Sequence, residues 1–461
     1  MMDEIMYGLT QIGAKLFHYQ FDFNTFKITL YFNMIHMTIN EHIQDLLGQD
    51  FRYISNDKSL FHLDFSISPE KFSMGLAPSF ITTVDYIVNH YKDGARYNEM
   101  ILSFEELDRF IPSVNLCSLD ENRNWVFNIE PKIVSECNIT YRDTPITIQF
   151  KKSSTVNYDE IKAKASTYAN VHIMFPQTDD FDYITGLYYN IRQFFSFIFN
   201  RRNIALRKAI IKGEYVHNTL VSKGKPKVAV KPVSSELIPN SKYIEEKEDL
   251  KHVKRFSNIS MYMNRLETLI QMFFEKKQGD IHPLDDASIH KSLEYRNYID
   301  LNHSLHITST FERYVRIFLP EISSSKATVE FYSDMQGLLD EYINNHTGNK
   351  KKKAKDLKNI LAPTISLEQK IQKAYNGYSN WAPLSGILSE KFGEDINTLA
   401  QKANKWRNEL AHEKYEFDPD EDVINSIRLI EHINYCIAFR IVGYSDEEIA
   451  TLVDQTLAGP I

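Results

Sequence analysis

The sequence predicts an α+β protein: an N-terminal β-rich half, an antiparallel sandwich or barrel-like sheet, followed by an all-helical half. Three observations carry that expectation. Short segments of period two fill the chain from Leu16 to about Phe150, and apolar stripes at spacings of three and four take over from Glu245. Between them Lys223 to Pro239 carries Pro, Gly, Ser and Lys without helical periodicity, which reads as a boundary. At 461 residues the chain exceeds what one core usually holds, so two domains are expected, residues 1–235 and 236–461.

In the first half, Phe26 to Phe32, Leu60 to Phe65, Trp125 to Ile129 and Ile146 to Phe150 alternate apolar and polar residues as half-buried strands do. Ser55 to Lys58, Asp120 to Asn124 and Arg142 to Pro145 are turn formers between such segments, which favours antiparallel pairing over a parallel α/β arrangement. The 29 Phe and 26 Tyr fit β structure, and their alternation reads as core and cross-strand packing rather than as a ligand surface. A helix over Phe181 to Phe199 closes this half. Asn190, Arg192 and Gln193 interrupt its apolar character, and no stretch of eighteen apolar residues exists, so no membrane span is expected.

In the second half, Val253, Phe256, Ile259, Met263, Leu266, Ile270 and Phe273 form the stripe of a helix or helix pair over Glu245 to Lys277. Further helices are expected near Tyr295 to Phe318, Ala327 to Asn344, Ser366 to Tyr375, Ser385 to Phe392, Ile396 to His412, Val423 to Val442 and Asp446 to Leu457. Ser445 and Glu448 have the spacing of a capping box at the start of the last. Lys350 to Lys353 is the one marked charge run, read as a solvated loop between helices, and His432 reads as a packed histidine rather than a ligand.

Bulk properties narrow the function. A net charge of −8 argues against coating nucleic acid through overall electrostatics, so any nucleic-acid site must be local. Cys117, Cys137 and Cys436 are odd in number and far apart, which suits reduced thiols, and Met1 to Ile5 lacks the basic start of a secretion signal. A cytoplasmic protein is expected. No metal-ligand spacing, Walker loop, dinucleotide fingerprint or nucleophile elbow occurs, so neither metal nor cofactor is expected.

One run carries chemistry: Arg407-Asn408-Glu409-Leu410-Ala411-His412. On a helix, Leu399, Ala403, Trp406 and Leu410 fall within one narrow arc that must be buried, and Asn404, Arg407, Asn408 and His412 spread over roughly 140° of the rest. Histidine can act as base or acid near neutral pH, and arginine offers a permanent charge and a planar fork that matches phosphate oxygens. Those are the groups that metal-free RNA cleavage needs: a base for the 2′-hydroxyl, an acid for the departing 5′-oxygen and a cation for the transition state. A single run supplies one histidine, so two copies facing across a dimer axis would make two-proton chemistry easier.

An Arg, a polar residue after it, three further residues and a His on a late helix resembles the signature of the HEPN superfamily. With the β-rich half before it and the acidic stretch Glu416 to Asp422 after it, the chain resembles the ApeA-like anti-phage defence proteins. The helical resemblance covers about Leu301 to Leu457; that of the β-rich half is one of organisation. The resemblance implies a helical bundle that dimerises through the motif helices, metal-independent endoribonuclease activity, and a sensing or regulatory role for the first half, answering a phage-derived trigger. It carries catalytic roles onto Arg407, Asn408 and His412, and a supporting role onto Glu312, since relatives carry a Glu on an early helix. Glu312 could equally pair with Arg316 one turn on. Lys405 and Asn404 are candidate RNA-backbone contacts, Lys405 alternatively a cap on the polar face. A different class of function also fits: a non-catalytic helical dimerisation module with a ligand- or protein-binding β half.

Overall fold

The structure, a computed structural model, describes residues 5–12, 15–31, 52–54, 58–64, 72–73, 79–111, 117–119, 125–127, 131–158, 163–200, 204, 206, 208–220, 226–240, 258–275, 301–319, 326–360, 366–377, 396–411 and 420–457. Two compact units make up the chain, residues 1–194 with 203–247 and residues 195–202 with 248–461. The expected α+β order holds: an antiparallel β region comes first and a helical region follows.

The first unit runs β1 (Ile5–Ile12), β2 (Lys15–Asp22), β3 (Lys27–Tyr31), β4 (Arg52–Ile54), β5 (Leu60–Asp64), β6 (Phe72–Ser73), β7 (Ser79–Asn89), β8 (Arg96–Leu102), α1 (Glu105–Phe110), β9 (Cys117–Leu119), β10 (Trp125–Phe127), β11 (Lys132–Tyr141), β12 (Thr144–Tyr158), β13 (Ala163–Thr178), α2 (Phe181–Ile198), β14 (Ala209–Leu220) and β15 (Pro226–Pro239). Among the described residues one large sheet is ordered β1-β2-β3-β7-β15-β14-β8-β13-β12-β11, an open path, with β9 and β10 paired apart. It branches at β7, along which β3, β6, β5 and β15 all pair. The alternation that predicts strands is what fills the core: Phe17, Tyr19, Phe21, Ile28, Leu30, Phe61, Phe80, Val84 and Ile87 converge from β2, β3, β5 and β7. Edge-on contacts of Phe61 with Tyr19 and Phe21, at 5.3 and 5.7 Å, place positive ring edges on negative faces.

The Arg142-Asp143 turn takes positive φ at both residues, 48° and 59°, the primed geometry that suits a two-residue hairpin between β11 and β12. α2 then lies over the sheet. Asp180 opens it by accepting from the backbone N–H groups of Asp182 and Tyr183. Phe181 stacks among Tyr86, Tyr91 and Tyr97, and Tyr183 meets Tyr141 and Phe175. Gly186 permits this approach, for a Cβ there would stand 2.1 Å from the Tyr141 hydroxyl.

The stretch read as a linker is instead strand. From Pro226 it forms β15, paired with β14 from Pro226 to Leu237, and the expected boundary at residue 235 falls inside it. Alternation is present at Val233, Ser235 and Leu237, which are buried, but three prolines disguise it. Pro232 is tolerated because β7 pairs only with Glu236–Pro239, leaving that side of the preceding residues without a ladder to break.

The helical unit contains α3 (Leu266–Phe274), α4 (Leu301–Phe318), α5 (Lys326–Asn345), α6 (Gly348–Ile360), α7 (Leu367–Gly377), α8 (Ile396–Ala411), α9 (Glu421–Val442) and α10 (Asp446–Leu457). Expected and observed bounds of the later helices agree closely; residues 295–300 and the helix expected at Ser385 to Phe392 lie outside the described residues. Of the helix or helix pair expected over Glu245 to Lys277, the described part is a 3-10 turn followed by a separate helix. Asn258 caps a 3-10 turn at Ile259–Met261, and α3 starts only at Leu266. Lys350 to Lys353 is not loop but the first turns of α6, which fits the good helix propensity of Lys.

α9 is buried on nearly every side, packed by α4, α8, α10, α3 and α7, its polar residues Asn425, Ser426, Glu431, His432 and Asn434 included. Asp420 caps its start, accepting from Val423 N at 2.8 Å, and Gly443 ends it at φ 97°, where a side chain would be strained. The Ser445–Glu448 capping box forms as expected, with Ser445 N donating to Glu448 Oε2 at 2.8 Å and Glu448 N to Ser445 Oγ at 3.3 Å. No helix among the described residues is long and apolar enough to cross a membrane.

Candidate functional site

α8 presents the motif run, and its burial follows the predicted arc. Leu399, Ala403 and Trp406 are buried, and Ala400 joins them. The side chains of Leu410 and Ala411, and His412 altogether, lie outside the described residues. Ala400 matters because it widens the buried arc to within about 20° of Arg407 on a regular helix. Arg407 therefore stands at the border of the packed face rather than on the open one, half-buried, while Asn408 and Lys405 are exposed and Asn404 is intermediate.

A half-buried guanidinium needs a counter-charge, and α4 supplies it. Glu312 sits beside the buried stripe Ser304, Thr308, Phe311 and Val315, and its Oε2 accepts from Arg407 Nη2 at 3.2 Å. The other oxygen, Oε1, accepts from Lys370 Nζ on α7 at 3.1 Å. Lys370 again borders a buried stripe, that of Leu367, Ile371 and Ala374, and its side chain is only 13% exposed. One carboxylate thus bridges two cations brought by two other helices.

The structure brings Glu312 and Arg407 together across 95 residues of sequence, and Arg316 is not the partner of Glu312. It leaves Asn404, Lys405 and Asn408 near Arg407 in sequence but without hydrogen-bond partners among the described residues. Lys370 is the member that sequence reasoning did not find. It belongs to no motif, and its one signal is a charge abutting the apolar spacing of α7.

The site is anchored from below. Ser426 Oγ on α9 donates to the carbonyl oxygen of Leu399 at 2.9 Å, and Asn434 Nδ2 donates to that of Ile307 on α4 at 3.1 Å. Both anchors use buried polar groups that a purely apolar helix would lack, so each fixes register. Before α9, Asp420 is a helix cap and Asp422 an ion-pair partner of Lys402, so the described end of the acidic stretch has local roles. His432 is buried at the centre of α9; burial pushes its pKa down to about 4, against the opposing charges of Glu431 and Asp454. It is a neutral packed histidine, as the sequence suggests.

Chemically, Arg407 keeps a permanent charge oriented by a carboxylate, and the ion pair uses one of its five N–H donors. The remaining donors are of the kind that grip phosphate oxygens. Compared with known proteins, the chain matches no family model, no curated protein and no solved structure.

Proposed function

We propose that the helical unit is a metal-independent endoribonuclease of the HEPN type, and that the whole chain is an ApeA-like anti-phage defence protein. The observation that supports this reading is the Glu312–Arg407 pair: the motif arginine, at the border of the packed face of α8, is held by a carboxylate from an earlier helix. In the proposed mechanism His412 moves the proton of the attacking 2′-hydroxyl or of the departing 5′-oxygen. Arg407 stabilises charge on the phosphate, and Asn408 orients phosphate or ring. Two chains, paired through their motif helices, supply the second histidine. The β-rich unit restrains or triggers the pair in response to a phage component, and RNA cleavage then shuts down the infected cell in its cytoplasm.

The test is substitution in the full chain. His412→Ala and Arg407→Ala, each folded, should abolish cleavage of total RNA and phage restriction, while EDTA should leave cleavage intact because 2′-hydroxyl attack needs no metal. Retained cleavage in both variants would sink the reading. The same ion pair supports a second reading, in which Arg407 is a structural cation locked by Glu312 and the helical unit only dimerises. That reading expects no cleavage by the wild-type chain, with or without phage components, and a phenotype insensitive to His412.

A further inference from the structure

The charge run in α6 is unused by the fold. Lys350, Lys351, Lys352, Lys353 and Lys355 make no ion pair among the described residues; Lys358 alone does, with Asp340 of α5 at 2.5 Å. α6 packs on α5 through Ala354, and Lys350, Lys352, Lys353 and Lys355 are exposed. Five lysines in six residues put one positive charge on about every 1.8 Å of helix axis, close to the roughly 1.7 Å per negative charge of a nucleic-acid duplex. Such crowding is self-repulsive: Lys350 and Lys353, Lys351 and Lys355, and Lys352 and Lys355 are like-charged neighbours on the helix surface. In a chain of net charge −8, a concentrated cationic helix with no ion-pair partner for these five lysines among the described residues is suited to an external polyanion. Tyr342 and His346, stacked at 3.9 Å where α5 leads into α6, add an aromatic surface of the kind on which bases stack.

We infer that α6 is a backbone-binding surface for RNA, engaging phosphates through Lys350, Lys352, Lys353 and Lys355 without reading sequence. The choice of RNA among polyanions rests on the ribonuclease reading; the cationic surface itself does not. It accounts for how an acidic chain holds its substrate: affinity comes from a local phosphate grip, and Arg407 is left to the scissile group.

The experiment measures binding apart from cleavage. A fluorescent 2′-O-methyl RNA 20-mer, which has no free 2′-hydroxyl to attack, is titrated with the full-length wild type and with Lys350→Ala/Lys352→Ala/Lys353→Ala/Lys355→Ala, across stepped salt. Lys352→Glu/Lys353→Glu serves as a second variant. Removing four phosphate contacts should reduce the slope of log affinity against log salt by about 2–3, at about 0.7 per single-strand phosphate, and weaken binding at least about tenfold at low salt. Wild-type binding that is absent, or unchanged slope and affinity in variants with native circular dichroism, overturns the inference. So does lysine-dependent binding confined to phosphatidylserine vesicles. His412→Ala and Arg407→Ala are assayed in parallel for cleavage of unmodified RNA. If those two still cleave RNA while the lysine variants lose binding, α6 stands and the assignment of the cleavage site falls.

Discussion

Glu312→Gln keeps the shape of the side chain and removes the charge that Lys370 and Arg407 share. The two contacts are nearly equal in length, 3.1 and 3.2 Å, so bare Coulomb attraction does not distinguish them: at an effective dielectric near 20 each is about 5 kcal/mol. Solvent does. Lys370 is 13% exposed and Arg407 40%, so the lysine is left in a poorly hydrated place when the carboxylate goes, whereas the arginine turns to water. After desolvation and side-chain ordering are set against attraction, about 1–2 kcal/mol remains for the Lys370 contact and less than about 1 kcal/mol for Arg407. Double-mutant cycles of Glu312→Gln with Lys370→Met and with Arg407→Gln, read by urea unfolding at 222 nm, should give coupling energies in that order. A coupling to Lys370 near zero, or one smaller than that to Arg407, would refute the burial argument. In the ribonuclease reading Glu312→Gln also frees the guanidinium from its fixed orientation, and cleavage should fall by about tenfold, or about 1.4 kcal/mol of barrier.

Acid should weaken the helical unit through His432. Its folded pKa of about 4 lies below the ordinary 6.5, so the unfolded chain takes up the proton first. The stability is therefore fully present above pH 6.5 and is lost as pH falls toward 4, on the order of 3 kcal/mol. His432→Met, similar in volume, should flatten the difference in thermal midpoint between pH 7 and 4.5; an undiminished drop would assign acid sensitivity to other groups. In the β-rich unit, Gly186→Ala should cost about 1–3 kcal/mol by overpacking against the Tyr141 hydroxyl, and Tyr141→Phe should restore most of it. No rescue would mean that the glycine serves the helix backbone instead.

What could be read from the sequence was local. The arc of Leu399, Ala403 and Trp406, the Ser445–Glu448 cap and the Arg142-Asp143 turn depend on residues a few positions apart, and each has its expected form. β15 was hidden because Pro226, Pro232 and Pro239 break the strand signal, and the pairing of β7, which begins only at Glu236, explains why Pro232 is allowed. Lys370 was hidden for another reason: its partner lies 58 residues away, and charge pairing at that range leaves no periodic trace. The half-burial of Arg407 likewise turns on Ala400, too small to stand out in an apolar stripe.

The near-complete burial of α9 bears on when the helical unit can assemble. Synthesis delivers α4, α7 and α8 before α9, so the motif helix leaves the ribosome before the Ser426 and Asn434 anchors that tie α8 and α4 to α9 can form. Until then Arg407 and Glu312 ride on helices that have α7, but not α9, to pack against. The order of the segments leaves the α9 anchors of this pair's two helices until last, a sequence of assembly written into chain direction.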